Sequence, residues 1–489
     1  MRRLLASSIG VTCAAALTLP LTLPATTAHA IPGPGARAGA QAAGRSTQPA
    51  VPGSTQSLPL VPLAGERATG APAAQGLPRR DVRPFSLVGV VWDDPRTALL
   101  GSVQVRTRAA GTGAWSGWQD VETHNAEHAP DPGSPEDVSG RLRGATAPLW
   151  VGNSDGVEVR VRPESSARTA APLPEGLRLE LVDPGGAAEA GGSDGAGGPA
   201  EAGGPAEAGG PVEDGGRAGA GGAGRAGDAD PPLTGPLSAG TTASSEANVP
   251  LAPLGATEIP ELDRADTENE LFALRAPELT EEQKATPYIG PRPRIVTRNG
   301  WGADENLREK GFLYTTTVKA AFVHHTATGN NYTCAQAPSV IRSIYRYHVQ
   351  SMGWRDIGYN FLLDTCGNIY EGRAGGVAKA VMGAHTLGFN HDSMGIAVLG
   401  TFTTTSPPEA TVKAVGQLAA WKLGLFGADP GGTTHLKSGG GNLFKKGTNV
   451  RLNVISGHRD GFATDCPGKL LYGKLGAIRE HASRFQGRL

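Results

Sequence analysis

A long stretch of almost pure glycine, alanine, glutamate and proline divides this chain of 489 residues and limits what it can fold into. The stretch runs from residue 185 to about residue 228 and includes the tandem GGPAEAGGPAEAGGPVEDGG. No aromatic residue occurs between Trp150 and Phe272. Such a composition buries too little apolar surface to offset the entropy lost on ordering. We therefore expect folded parts on either side, joined by a linker over residues 185–287.

Residues 1–30 have the pattern of an export signal peptide. MRR supplies positive charge, a mostly apolar core follows, and Ala28–Ala30 form a small-x-small cleavage site. Pro20 and Pro24 interrupt the apolar run and no stop-transfer charges follow, so cleavage is favoured over membrane anchoring. No other segment reaches the ~18 apolar residues that a membrane span needs. We expect a secreted protein without a membrane anchor, beginning with a disordered spacer at residues 31–80.

Residues 81–184 show short β-type runs separated by turn signals. Apolar and polar residues alternate around Val103 and Val159, which is typical of half-buried antiparallel strands. We expect a separate β-sandwich-like accessory domain here. Trp115 and Trp118 are candidates either for stacking on sugars or for packing, and the pattern leaves both uses open.

The balance of charge excludes one class of partner. The chain has 45 Lys and Arg against 46 Asp and Glu, so no global basic field for binding a polyanion is indicated. We expect no nucleic-acid partner. We also expect a monomer, because no segment has the pattern of an oligomer interface.

Residues 288–489 return to the composition of a folded domain. KAAFVHHTATG and SMGIAVLGTF are typical of buried strands, while PSVIRSIYRYHVQSMGW and PEATVKAVGQLAAWKLGLFG have helical spacing. Strands interleaved with helices predict an α/β domain with a mixed central sheet flanked by helices.

The histidines and cysteines of this domain suggest a metal site. Signal cleavage leaves three cysteines, an odd number, so at least one lies outside an intramolecular disulfide. A catalytic zinc takes three protein ligands and an open position. His458 and Cys466 lie on one loop and His324 lies at a strand end, so together they can supply three. A structural zinc with four protein ligands is the alternative, and it would require His325.

Six sequence blocks resemble the peptidoglycan recognition protein family, which includes zinc-dependent N-acetylmuramoyl-L-alanine amidases. They follow the family's order over nearly the whole C-terminal domain and look most like its secreted actinobacterial members. The blocks are WGADE, FVHHTAT, IRSIYRYHVQSMGWRDIGYNF, GNIYEGRAGG, GAHTLGFNHDSMGIAVLGTF and SGHRDGFATDCPG. The resemblance begins at about Arg292, so the β-rich segment lies outside it.

The resemblance implies particular roles for particular residues. It implies Zn²⁺ held by His324, His458 and Cys466. Tyr359 of DIGYNF takes the place of the family's catalytic tyrosine. Thr464 takes a position where phage members carry a transition-state-stabilising lysine and animal members a threonine.

The same alignment suggests substrate contacts. His385 and Asn390 correspond to positions near the substrate, and Arg373 can pair with a carboxylate of a peptide stem or serve a structural role. His348 lies on the apolar face of its helix, so it either lines the groove or belongs to the core. His325 is expected to point to the opposite side of its strand from His324.

With Cys466 assigned to the metal by resemblance, Cys334 and Cys366 are the pair left for a disulfide. Animal relatives carry their disulfide near the same first helix, but with closer spacing. The pairing is therefore an expectation.

The expected function is hydrolysis of the amide between N-acetylmuramic acid and L-alanine in bacterial peptidoglycan, outside the cell or at the cell wall. The alternative is a non-catalytic module that binds peptidoglycan, but such members typically lose the cysteine that is present here as Cys466. The segment AGGVAKAVMGAH matches neither family pattern for stem-peptide choice, so diaminopimelate and lysine stems both stay open.

Overall fold

The computed structural model describes the chain over four ranges. The expected signal peptide and most of the stretch rich in glycine and alanine, residues 185 to about 228, lie outside these ranges. The described residues are 52–63, 74–164, 172–186 and 237–488.

The N-terminal part is an antiparallel sheet of eight strands, in the order β1-β8-β3-β7-β4-β5, with β2 and β6 paired to β3. Its own core is built from alternating valines and leucines of these strands. The expected antiparallel β-rich domain is confirmed. The strands are β1 (Ser54–Pro59), β2 (Val61–Pro62), β3 (Gln75–Trp92), β4 (Gly101–Ala109), β5 (Gln119–Val121), β6 (Gly144–Ala145), β7 (Leu149–Pro163) and β8 (Arg178–Asp183).

The boundary predicted at residue 81 is wrong, because strands begin much earlier. β1 pairs along its whole length with β8, and β3 begins at Gln75. The segment STQSLP has too few apolar residues for a local strand signal. Its pairing with a distant strand, which sequence periodicity does not report, makes it part of the sheet.

The C-terminal part is a mixed sheet of seven strands, in the order β17-β11-β14-β12-β13-β10-β9. The pairs β11/β17, β11/β14, β12/β14 and β10/β13 are parallel, while β12/β13 and β9/β10 are antiparallel. The strands are β9 (Glu258–Ile259), β10 (Ile295–Val296), β11 (Ala320–His325), β12 (Phe361–Leu363), β13 (Ile369–Glu371), β14 (Ser393–Val398) and β17 (Ile455–Gly457); β15 (Thr433–Lys437) and β16 (Asn449–Asn453) form a separate hairpin.

Helices cover both faces of this sheet, as the interleaved pattern predicted. Ile396 and Val398 of β14 share one core with the two long C-terminal helices, whereas Ala397 faces a second core with the helix that follows β11. The helices are α1 (Ala239–Glu246), α2 (Arg264–Arg275), α3 (Glu281–Ala285), α4 (Ala337–Arg346), α5 (Glu409–Gly424), α6 (Lys469–Tyr472) and α7 (Leu475–Gln486). Within the described ranges, none has the length and apolar character for a membrane span.

The predicted linker over residues 185–287 is corrected in its second half. Strand β9 and helices α1, α2 and α3 all fall within it. Leu251, Ile259 and Leu271 are buried in the core of the C-terminal domain. The apolar residues of these elements are too sparse for a periodic signal, and they are buried because they pack on the C-terminal sheet and its helices.

The two sheets are packed together instead of lying apart as expected. Leu87, Trp150 and Val182 of the first sheet share one apolar core with Ile341 and Tyr347, on α4 and the π-helical turn after it. The Tyr347 hydroxyl also donates a hydrogen bond to the Thr146 carbonyl, at 3.1 Å. This contact brings the loop that follows β5 over the end of β11.

Candidate active site

The end of β11 carries the first residue of the candidate site. β11 and β17 are parallel neighbours with Val323 opposite Gly457, so the next residues, His324 and His458, lie side by side at the same sheet edge. All of β11 is buried, as expected of a parallel strand covered on both faces. The sheet register therefore places both histidines.

Cys466 completes the trio predicted from the sequence, and a fourth residue joins it. The ligand atoms of His128, His324, His458 and Cys466 all lie within 4.8 Å of one another. The four side chains are at most 6% exposed. His128 belongs to the loop after β5 in the N-terminal sheet and was missed by the sequence analysis. Its only local signal is the polar, two-histidine segment THNAEHAPD, which has no recognised metal spacing.

Several ring nitrogens in the cluster have no hydrogen-bond partner among the described residues and are therefore available to bind a ligand. The Nδ1 atom of His324 lies 3.7 Å from the Cys466 sulfur, and its Nε2 atom lies 3.3 Å from Nδ1 of His385. Among the described residues, neither ring nitrogen of His128 or His458 has a hydrogen-bond partner. Buried polar atoms normally have one. Two histidines with unpartnered nitrogens beside a cysteine fit a metal ion, and this donor set suits zinc.

Burial sets the charge of these groups. Desolvation holds the pKa values of His324 and His458 well below their usual range, and lowers the pKa of His128 to about 3. The main-chain carbonyl of Glu127 opposes the fall in the pKa of His458, although no hydrogen bond of normal geometry joins them. Burial raises the pKa of the Cys466 thiol well above its usual value. Neutral imidazoles are the form that binds a metal, and a bound metal would favour the thiolate.

His325 stays outside the cluster. Its Nδ1 atom accepts a hydrogen bond from the Phe402 main-chain N–H at 3.3 Å. Adjacent strand residues point to opposite faces, which explains why His324 reaches the cluster and His325 does not. The fourth place considered for His325 is taken by His128.

Tyr359 and Thr464 border the cluster. The Tyr359 ring lies 5.5 Å from the His324 ring, and burial raises the pKa of its phenol well above the usual value. Thr464 Oγ1 accepts a hydrogen bond from the Cys466 main-chain N–H at 3.1 Å. The same hydroxyl donates to a carboxylate oxygen of Glu127 at 2.8 Å. Both side chains are therefore hydrogen-bond donors beside the cluster.

His385 and His348 are buried, so neither faces an open groove. His385 lies behind His324 and orients it, while its main-chain N–H donates to the Asn390 side chain at 2.7 Å. His348 accepts from the Gly358 main-chain N–H at 3.2 Å and packs on Trp354 with 4.4 Å between ring centroids. The structure thus gives both histidines supporting positions, and the groove contact expected of His385 stays a prediction.

Asn390 and Arg373 both bind carboxylates from the N-terminal sheet. Asn390 Nδ2 donates to Asp131 at 2.7 Å. Arg373 forms a buried two-point ion pair with Glu136, with N–O distances of 2.8 and 3.1 Å. The sequence left two roles open for Arg373, pairing with a carboxylate of a peptide stem or a structural role, and in the structure its carboxylate partner belongs to the chain itself.

Cys334 and Cys366 form a disulfide in the structure, with 6.2 Å between their Cα atoms. Cys466 is the free cysteine of the described residues. The disulfide is therefore formed by the expected pair, and Cys466 keeps a free thiol within the cluster.

Comparisons with known proteins match both parts of the chain. Residues 40–176 match the family described as Rv3811 N-terminal galactose-binding domain-like. Residues 314–469 match the family of N-acetylmuramoyl-L-alanine amidases. The second match contains every residue of the cluster except His128.

Similar proteins include animal peptidoglycan-recognition proteins. The chain is 34% identical over 192 residues to peptidoglycan-recognition protein SC1a of Drosophila melanogaster, covering 38% of this chain and 87% of that protein. It is 30% identical over 181 residues to SC2 of Drosophila simulans, covering 37% and 84%. The human N-acetylmuramoyl-L-alanine amidase is 32% identical over 205 residues, covering 40% of this chain and 29% of that protein.

Solved structures similar to this one include Drosophila PGRP-LB, with a TM-score of 0.30 and 26% identity, covering 37% of this chain and 92% of that chain. Another is peptidoglycan recognition protein LE in complex with tracheal cytotoxin, with a TM-score of 0.30 and 30% identity, covering 37% and 92%.

The C-terminal part is therefore a mixed α/β domain of the amidase class with a His–His–Cys cluster at its sheet edge. The chain belongs to the peptidoglycan-recognition protein family. Its general function lies within peptidoglycan binding or amide cleavage.

Proposed function

We propose that this protein is an exported zinc-dependent N-acetylmuramoyl-L-alanine amidase that cleaves peptidoglycan. One observation carries the proposal: His324, His458 and Cys466 converge in a buried cluster whose ligand atoms lie within 4.8 Å, beside Tyr359 and Thr464. Non-catalytic recognition needs a groove but no convergent histidine–cysteine set. The cluster therefore favours cleavage over binding alone.

Zinc held by these three residues would supply Lewis acidity toward the amide carbonyl and activation of a water molecule. The residues of the chain do the rest. His385 fixes the orientation of the His324 ring through its contact with Nε2. Tyr359 keeps its proton because burial raises its pKa, so it can donate a hydrogen bond to the oxygen that gains charge.

Thr464 is the second donor to this oxygen or to the leaving group. Its hydroxyl already accepts from the Cys466 N–H, so its proton is directed outward, where Glu127 now accepts it. Asp465, the carboxylate next to the cluster in sequence, is 94% exposed and pairs with Arg459. It does not reach the cluster, so we propose no role for it as a base.

Export is part of the proposal. The N-terminal sequence has the arrangement of a cleavable signal, and Cys334 and Cys366 form a disulfide. Disulfides of this kind persist in oxidising compartments outside the cytosol. Peptidoglycan, the proposed substrate, lies in the same compartment.

The test is digestion of purified sacculi by the full chain, followed by mass spectrometry of the products. We expect intact glycan strands and stem peptides with a free L-alanine N-terminus. Cys466→Ser and His458→Ala should abolish release, whereas His435→Ala, which removes an exposed histidine, should not. Tyr359→Phe should slow release by about 10²–10³-fold, the usual effect of losing one such donor.

Because His128 shares the cluster, each variant is also assayed in a His128→Ala background. Binding to sacculi without stem-peptide release in either background would contradict the hydrolase and indicate a recognition module.

A further inference from the structure

The loop between β5 and β6, residues 122–143, covers the candidate active site, and we call it the cleft loop. Its only regular structure is a 3-10 turn at Asp137–Ser139. Loops this long with so little secondary structure are uncommon in compact domains, and those that occur are usually functional. The cleft loop belongs to the N-terminal sheet, yet many of its contacts are with the amidase domain.

His128 is the deepest point of the cleft loop. Its ring centroid lies 4.5 Å from that of His458 and 5.4 Å from that of His324. It is 6% exposed, and within the described part of the chain neither of its ring nitrogens has a hydrogen-bond partner. An imidazole that points unpartnered nitrogens into a histidine–cysteine cluster is placed as a ligand.

Three carboxylates of the cleft loop accept hydrogen bonds from donor groups of the amidase domain. Glu127 accepts from Thr464 at 2.8 Å, and its carbonyl accepts from the Leu387 N–H at 2.8 Å. Asp131 accepts from the Gly388 N–H and from Asn390, each at 2.7 Å.

Glu136 is the third of these carboxylates. Its carboxylate accepts hydrogen bonds from both terminal nitrogens of the Arg373 guanidinium, and also from the Arg355 main-chain N–H at 3.1 Å. Thr464, Asn390 and Arg373 are the donors that the sequence analysis expected to serve catalysis or the peptide stem. The cleft loop therefore satisfies the hydrogen bonds that a bound substrate would need.

We propose that the cleft loop is a built-in plug, in which His128 is a fourth metal ligand and Glu127, Asp131 and Glu136 stand in for carboxylates of the substrate. The proposal rests on the proposed function. Four protein ligands leave no open position for water, as in structural zinc sites. The chain is then latent as folded, and cleavage begins only when the cleft loop leaves the cluster.

The contacts of the cleft loop differ in kind from those that hold the two sheets together. The sheets meet through large apolar side chains such as Leu87, Trp150 and Tyr347. The cleft loop is held mainly by ion pairs and hydrogen bonds, whose groups regain hydration when they separate. The loop can therefore open while the two sheets stay packed.

The coordination of the metal gives a readout that does not depend on activity. The full chain is loaded with Co²⁺ and its visible absorption is recorded with and without azide, a small anion that binds only at an open position. We expect azide to leave the wild-type spectrum unchanged, and to alter that of His128→Ala. His124→Ala, which removes an exposed histidine of the same loop, should behave as wild type.

A second variant covers the case in which His128→Ala disturbs folding. Glu136→Gln keeps every proposed ligand but weakens the hold of Arg373 on the cleft loop. We expect azide sensitivity here as well, and none in Glu122→Gln, which alters a partly exposed carboxylate of the same loop. Azide sensitivity in the wild type, or its absence in both His128→Ala and Glu136→Gln, would overturn the plug.

Cleavage of sacculi then separates the two proposals. Opening a site that is rarely competent should raise the rate by about tenfold or more in His128→Ala and Glu136→Gln. If azide gains access but no variant cleaves, the hydrolase is wrong and the plug stands. If the wild type cleaves and Glu127→Gln or His128→Ala abolishes cleavage, the loop is part of the catalytic machinery and the plug is wrong.

Discussion

Glu371 illustrates at the residue scale how burial controls a charge in this domain. It is 2% exposed, and desolvation raises its pKa to about 7, opposed by hydrogen bonds from Asn248 at 2.9 Å and from the Arg298 main-chain N–H at 3.2 Å. Between about pH 4.5 and 7 the folded chain therefore binds a proton at this site that the unfolded chain has lost. The contribution of Glu371 to stability is then greatest below this range and falls as the pH rises through it.

We expect Glu371→Gln to remove this pH dependence. Relative to the variant, the wild type should lose about 3 kcal/mol of unfolding free energy between pH 4.5 and pH 8, because the pKa of Glu371 is about 7 in the folded chain and about 4.5 in the unfolded chain. Denaturant unfolding over a pH series measures the difference, with Glu261→Gln, an exposed position, as the control. A difference between wild type and Glu371→Gln that does not change with pH would contradict the assigned pKa.

Three of the four cluster residues could be predicted, because the sequence around each of them carries a recognisable pattern. His324 ends an apolar run, and His458 and Cys466 share one loop, so strand-end logic and the family resemblance indicated all three. His128 was not predictable, because its position depends on how two sheets pack. The same packing explains Arg373, which pairs with Glu136, whereas the sequence had left a peptide-stem carboxylate and a structural role both open.

At the scale of elements, the segment before the amidase domain shows what periodicity misses. The sequence predicted a linker over residues 185–287. Helix α2 forms there with Asp263 as its N-cap, whose side chain accepts from the Asp266 N–H at 2.9 Å. Leu271 is 2% exposed within the main core, and Thr267 on the same helix is also fully buried, so the helix packs firmly on the amidase core.

We expect Leu271→Ala to lower the unfolding free energy by about 2–5 kcal/mol, as for other buried leucines. Asn269→Ala, at an exposed position of the same helix, should change it by less than about 0.5 kcal/mol. Chemical denaturation of the full chain followed by circular dichroism makes the comparison. Equal stabilities of the two variants would show that α2 does not belong to the amidase core.

At the scale of the whole molecule, the N-terminal sheet is joined to the amidase domain by a shared core and covers its site. The antiparallel character of the first part and the mixed α/β character of the second could be predicted from alternation and helical spacing. The packing of the two sheets against each other could not be predicted. Apolar residues of β3 and β7 show the same alternation whether they pack within the N-terminal domain or against another domain. The Gly/Ala-rich segment suggested independence, but composition between two domains says nothing about the surfaces they share.

We infer that His324, His458 and Cys466 hold a metal, with His128 as the fourth ligand in the folded chain. Anomalous diffraction at the zinc edge, from crystals of the full chain grown with zinc, tests it most directly. We expect one strong peak inside the cluster, about 2.3 Å from the cysteine sulfur and about 2.0–2.1 Å from three imidazole nitrogens. Zinc bound through His325, or a cluster that stays empty while zinc binds elsewhere, would contradict it.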